Sequence, residues 1–138
     1  MMDLPQGETT MTYDKKYLVW ALCYAVAGMG VGIFMGMSQN HAQHVTHAHI
    51  LLVGFVTSLI YGVIHKLWLI DKMPRLAMAQ FIVHHVGAVT MFVGLLLLFG
   101  NVLPLAQLDP MLALASLTVT LGVVLMLVMV VKSNTLEA

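Results

Sequence analysis

Residues 47–62 read HAHILLVGFVTSLIYG, an apolar run that opens with two histidines and contains no charged side chain. A helix rises about 1.5 Å per residue and needs about 20 residues to cross the roughly 30 Å hydrocarbon core of a bilayer. The run continues to about residue 70 and is therefore long enough. It predicts a membrane-spanning helix that carries imidazole at its start.

Three further apolar runs have similar length, at about residues 17–37, 76–99 and 111–131. The 138-residue chain is 60% hydrophobic and 9% charged, whereas about a quarter of the residues of a soluble domain are charged. We therefore expect an all-α integral membrane protein, with one four-helix domain over residues 1–138 inside a lipid bilayer. Short turns near residues 71–75 and 100–110 predict an up-down bundle. Zero net charge argues against a nucleic-acid partner.

The basic residues predict the orientation of these helices. All six lie at helix ends that an up-down bundle would place on one side, at Lys15, Lys16, Lys66, Lys72, Arg75 and Lys132. The positive-inside rule makes that side cytoplasmic. We expect a multi-pass protein of a bacterial inner membrane, with both termini cytoplasmic and the histidines of residues 41–49 on the periplasmic side.

The seven histidines form two groups. The outer group is His41, His44, His47 and His49, and the inner group is His65, His84 and His85. Because every Lys and Arg lies outside the spans, imidazole is the side chain best able to bind a metal or a haem within the bilayer. Other roles stay open: water or headgroup contacts for the loop histidines, an interfacial position for His65, a hydrogen bond to a backbone carbonyl or to Tyr61 for His84, and a supporting or packing part for His85.

The second span has a polar stripe. His47 and His65 are 18 residues apart, which is about five helical turns, so they share one face. That face also carries Gly54, Ser58 and Tyr61. A polar stripe in a membrane helix normally faces the bundle interior, and Gly54 leaves room for a flat group against the helix.

Two kinds of ligand set can be built from these histidines. His84 lies at a depth comparable with His65, so His65 could pair with His84 or His85 to hold a haem iron, or bind copper or zinc with a third ligand. On the outer side, Met35 and Met37 precede the histidines, and this mixture of imidazole and thioether suits copper.

Residues 47–62 resemble the second transmembrane helix of haem-copper oxidase subunit I and of its nitric oxide reductase relatives. The segment from His84 to Gly87 resembles the third helix of small four-helix bacterial membrane proteins related to that subunit. The resemblance implies that His47 ligates a haem, with Gly54 in the glycine position seven residues later. The chain lacks the later oxidase helices that supply the second haem ligand and the copper ligands, so an oxygen-reducing centre within one copy is not implied.

The same resemblance implies an assembly. Oxidase subunit I consists of three arcs of four helices, so three copies of this chain would supply the same number. The glycine ridge of the first span, at Gly28, Gly32 and Gly36, could lie at the contacts of such a homotrimer. It could equally serve packing within the bundle.

Our leading hypothesis is a b-type haem protein that carries electrons between the quinone pool and a redox partner. His47 or His49 would ligate on the outer side, and His65 with His84 on the inner side. An alternative is a copper- or zinc-handling or oxidase-assembly protein that uses the outer histidines. A further alternative is a small proton-coupled transporter, which the lack of Asp and Glu in the spans disfavours. Whether the protein is itself an enzyme is left open.

Overall fold

The computed structural model describes residues 10–70 and 72–135. Their regular structure is entirely helical and forms four long helices, α1 (Tyr13–Ser38), α2 (His44–Trp68), α3 (Pro74–Phe99) and α4 (Leu105–Thr135). All four are long and apolar enough to cross a bilayer, with mean hydropathies from 1.9 to 2.6. The expected all-helical architecture, with four helices long and apolar enough to span a membrane, is confirmed.

The third and fourth helices both begin earlier than the sequence predicted, and a proline lies at or near each start. Pro74 is the first residue of α3 and follows Met73, whose φ of 51° is left-handed. Pro110 lies inside α4, which begins at Leu105 rather than after the proline. A proline early in a helix lacks one backbone donor and is tolerated better there than further along. The connection before α4 is therefore shorter than predicted, and Asp71 of the other predicted turn lies outside the described residues.

The helices associate as two closely packed pairs, α1 with α2 and α3 with α4. In the first pair, residues late in α1 meet residues early in α2. A Cβ added at Gly32 would come within 2.9 Å of His47 Cε1, and one added at Gly28 within 2.5 Å of Leu51 Cδ2. By contrast, nothing lies within 4 Å of a Cβ at Gly30 or Gly36. Two glycines of the α1 ridge therefore serve packing inside the chain.

The middle of α2 is wider than an α-helix, with π-helical turns over Ile50–Val56. The hydroxyl of Thr57 donates to the Leu52 carbonyl, five residues back, at 2.8 Å. Buried positions recur every four residues from one end of this segment to the other: Thr46, Ile50, Gly54 and Ser58. A regular α-helix would turn such positions away by about 40° at each step. The wide turns instead keep one face towards the bundle interior.

The interior has two apolar layers. The outer one centres on Tyr24, Ile50 and Phe92, and the inner one on Tyr17, Leu69 and Met129. Buried polar side chains lie with these layers, chiefly on α2 and α3. They make up the candidate site.

Candidate functional site

The inner half of the bundle contains a group of buried polar and aromatic side chains, the inner cluster. Its members are Tyr17 of α1, Ser58, Tyr61 and His65 of α2, and Gln80, His84 and His85 of α3. The predicted stripe of α2 thus faces inward from Gly54 to His65, as expected. All three inner histidines are buried.

Tyr17 is the centre of this cluster and is fully buried. Its ring centroid lies 5.6 Å from that of His65, 6.2 Å from His84, 5.4 Å from His85 and 5.5 Å from Tyr61. His65 and His84, which the sequence analysis paired, therefore both contact Tyr17. Among the described residues, no ring contact joins the two histidines directly.

Hydrogen bonds anchor part of the cluster across the helices. The Tyr17 hydroxyl donates to Oε1 of Gln80, whose Nε2 donates to the Gly122 carbonyl of α4 at 3.2 Å. The Ser58 hydroxyl and His84 Nε2 are hydrogen-bonded at 3.0 Å. These contacts tie four helices together around uncharged polar groups.

Four other buried polar atoms, all within the described part of the chain, have no hydrogen-bond partner. They are the Tyr61 hydroxyl, His65 Nε2, His84 Nδ1 and His85 Nε2. A buried polar atom without a partner costs about 1–3 kcal/mol. Three imidazole nitrogens of the cluster thus lack a partner, but no three His, Cys, Asp or Glu side chains of the described cluster lie close enough to hold a metal ion together.

His85 combines an anchored ring with an open nitrogen. Its Nδ1 is hydrogen-bonded to the Tyr24 hydroxyl at 2.8 Å, and its ring stacks on Trp20 at a centroid distance of 4.6 Å. The ring lines a shallow groove of about 430 Å³ on the side of the bundle, which we call the Trp20 groove. The remaining lining residues are Phe81, Ile82, Val86, Val89 and Thr90. An anchored imidazole thus borders an apolar groove on the surface of the bundle.

Three of the outer histidines are hydrogen-bonded to backbone carbonyls rather than to other side chains. His47 Nδ1 lies 2.8 Å from the Gly28 carbonyl of α1. Because a carbonyl oxygen can only accept, Nδ1 carries the proton, and Nε2 of the neutral ring keeps its lone pair. The same holds for two further contacts, His49 Nδ1 with the Val45 carbonyl and His44 Nδ1 with the His41 carbonyl. In its neutral form, each of these three rings therefore keeps a lone pair on Nε2.

The outer donors do not converge. Within residues 10–70 and 72–135, no three His, Cys, Asp or Glu side chains lie close enough to hold a metal ion together. His41 and His44 are exposed. Met35 is buried while Met37 is 82% exposed, so the two thioethers lie apart. A metal bound through one outer histidine would need its other ligands from elsewhere.

Gly54 accommodates a flat group, and that group is the ring of Tyr24. A Cβ added at Gly54 would come within 2.8 Å of Tyr24 Cγ. The aromatic residues of α1 that complete the site, Tyr17, Trp20 and Tyr24, were not among the candidates from the sequence. Their spacing of three to four residues on one helix was the available signal, but it is also the pattern of ordinary packing.

Comparison with protein-family models found no match, and searches of curated proteins and of solved structures found none either.

Proposed function

We propose that the protein is a b-type haem protein of a bacterial inner membrane that transfers electrons. One observation carries the proposal: His47 donates Nδ1–H to the Gly28 carbonyl and keeps a lone pair on Nε2. Ligating histidines are commonly held in this way, because the acceptor fixes both the tautomer and the ring orientation. The resemblance of residues 47–62 to a haem-bearing oxidase helix points to the same residue.

A second ligand on the inner side is best assigned to His85. Its Nε2 has no partner, Tyr24 anchors the other nitrogen, and the Trp20 groove offers an apolar surface beside it. His65 and His84 have open nitrogens too, but both lie against Tyr17. The haem would supply one-electron chemistry, while these residues hold its iron and keep water away.

The proposal includes an up-down arrangement with both termini cytoplasmic and the outer histidines periplasmic. The positions of the six basic residues support it. The antiparallel packing of α1 against α2 supports it as well. Electrons would pass between the quinone pool and a redox partner.

His47 and His85 would each help to hold a haem, and a homotrimer, which fits the resemblance, could bring further ligands from another copy. Gly28 and Gly32 are used inside the chain, so the contacts between copies would lie elsewhere, such as around Gly30 and Gly36.

The test is an optical spectrum of the purified protein, oxidised and dithionite-reduced, with haem and metal contents. We expect a Soret band and reduced α and β bands that His47→Ala and His85→Ala each diminish. His41→Ala, which alters an exposed loop histidine, is the matched control and should leave them unchanged.

A protein that stays haem-free after incubation with haemin would refute the proposal. If such a protein carried copper or zinc that His44→Ala and His49→Ala remove, metal handling by the outer histidines would replace it.

A further inference from the structure

A cavity of about 280 Å³ opens where the start of α1, the end of α2 and the start of α3 meet. We call it the inner-end cavity. It is distinct from the Trp20 groove and from the outer histidines. Three of its lining residues are lysines, Lys16, Lys66 and Lys72.

Basic side chains outnumber acidic ones among the described residues that line this cavity. Asp14 is the one carboxylate among these described residues, and it lies 3.8 Å from the Lys66 amine. Three lysines thus accompany one aspartate in the described lining. Lys16 lies over the Tyr13 ring at 4.6 Å, which keeps its amine at the cavity.

Two helix N-termini add to the positive electrostatic potential in the cavity. α1 begins at Tyr13 and α3 begins at Pro74, and both residues line the cavity. The first backbone N–H groups of a helix have no partner within it, and the helix dipole makes that end attractive to anions. The end of α2 offsets this little, because the His65 carbonyl accepts from Leu69 N–H and the Leu69 carbonyl from Lys72 N–H.

His65 provides an independent sign of a ligand. It lines the cavity, is only 4% exposed, and its Nε2 has no hydrogen-bond partner. Its ring is held against Tyr13 and Tyr17, at centroid distances of 5.6 Å each. A neutral imidazole protonated at Nε2 can donate to an anionic oxygen.

We infer that the inner-end cavity binds the phosphate group of an anionic phospholipid. A lipid is favoured over a soluble phosphate because apolar side chains continue from the rim along the surface of α2. Ile70 lines the cavity and is 60% exposed, and Leu67 and Trp68 beside it are 60% and 52% exposed. Basic pockets between membrane helices at the headgroup level are suited to such lipids. The site requires no haem and stands apart from the proposed function.

Native mass spectrometry of the protein in micelles, titrated with phosphatidylglycerol or phosphatidylcholine, tests the wild type directly. Selective retention of phosphatidylglycerol is expected, and equal retention of the two lipids would overturn the inference. Inorganic phosphate and glycerol phosphate are added as competitors. Competition at concentrations equal to the lipid would assign the cavity to a soluble phosphate and overturn the lipid assignment.

Variants then locate the site. The variant Lys16→Gln should bind phosphatidylglycerol about fivefold more weakly, since each basic residue near an anionic surface contributes about 1 kcal/mol. Lys15→Gln removes the same charge from the neighbouring exposed position and should have little effect. Equal losses in both would mean that general surface charge is responsible, which would overturn the inference.

His65→Phe tests the imidazole. It keeps a flat ring against Tyr13 and Tyr17 but removes the donor nitrogen. We expect about fivefold weaker binding, the effect of one hydrogen bond, with unchanged helicity by circular dichroism. Unchanged affinity in this variant would exclude His65 from the site and contradict the inference as stated.

Discussion

A single backbone carbonyl determines which nitrogen of His47 can bind a ligand. The Gly28 carbonyl accepts from Nδ1, and the missing side chain of Gly32 lets the ring lie against α1. Neither residue is polar, and neither would be chosen as a functional residue from its type. Both glycines allow α1 and α2 to pack closely, because a Cβ at either position would meet a side chain of α2.

Gly32→Ala should therefore displace the His47 ring and destabilise the fold. The added Cβ would lie 2.9 Å from Cε1, and overpacking of this kind costs about 1–3 kcal/mol. Gly30→Ala is the control, since nothing lies within 4 Å of its Cβ. The free energy of unfolding, measured by circular dichroism during titration with sodium dodecyl sulfate, should fall only for Gly32→Ala. Equal values for the two variants would contradict the close contact.

The hydrogen bond between Tyr24 and His85 should be measurable as a coupling energy. Tyr24→Phe removes the hydroxyl and leaves His85 Nδ1 buried without its partner, at a cost of about 1–3 kcal/mol. In a double-mutant cycle with His85→Phe, the coupling should be about 1 kcal/mol. A matched cycle of Tyr24→Phe with His49→Phe, whose ring bonds within its own helix, should give additive effects. Additivity in the first cycle as well would show that the bond contributes nothing.

The wide turns of α2 are what bring its two halves to the same interior. They hold Thr46, Ile50 and Gly54 in line with Ser58, so that the two halves of the helix turn the same face towards the bundle interior. Segments of π-helix inside α-helices are often found at functional sites. Here the segment lies between the outer histidines and the inner cluster, the two regions that the proposed function uses.

Replacing Pro110 is expected to stabilise the first turns of α4. It interrupts the backbone hydrogen bonds near the start of this helix, where an amide would otherwise donate to the Ala106 carbonyl. Pro110→Ala should slow hydrogen exchange of the amides in the following turn and stabilise α4 by about 1–3 kcal/mol. Pro104→Ala, just before the helix, should change exchange little, because its carbonyl still accepts from Gln107 and Leu108. Faster exchange in Pro110→Ala would mean that the fold requires a proline there.

The whole molecule has its polar chemistry inside and an apolar surface outside. Most large exposed side chains of α1 and α4 are apolar, including Val26, Ile33, Leu114 and Leu127, each more than 60% exposed. Such a surface is stable in lipid and not in water. Together with the length of the four helices, this surface suggests contact with a lipid bilayer.

Cysteine labelling tests the proposed topology in intact spheroplasts. Cys23 is the one cysteine of the chain, so Cys23→Ala gives an unlabelled background. In that background, Asn40→Cys, between α1 and α2, should react with a membrane-impermeant maleimide without lysis. Asn134→Cys, near the end of α4, should react only after permeabilisation. The reverse pattern would invert the protein, and equal labelling would exclude the up-down order.

Four membrane helices, their approximate bounds and the inward stripe of α2 could be predicted from the chain alone, because hydropathy and helical periodicity are local properties. The start of α4 before Pro110 and the wide turns of α2 were missed, since both depend on what the helix packs against. The sequence also named the three buried histidines of the inner cluster as candidates. For His85 it left a ligand role and a packing role open, and it gave no sign that Tyr24 is hydrogen-bonded to Nδ1 while Nε2 has no partner.

The physical reason is that an imidazole's role depends on partners from other helices. The Gly28 carbonyl selects the tautomer of His47, Tyr17 lies against both His65 and His84, and Tyr24 fills the space beside Gly54. None of these contacts is visible in residue type or spacing. The candidate histidines were thus readable from the sequence, whereas which of their nitrogens lack a partner follows only from how the four helices pack.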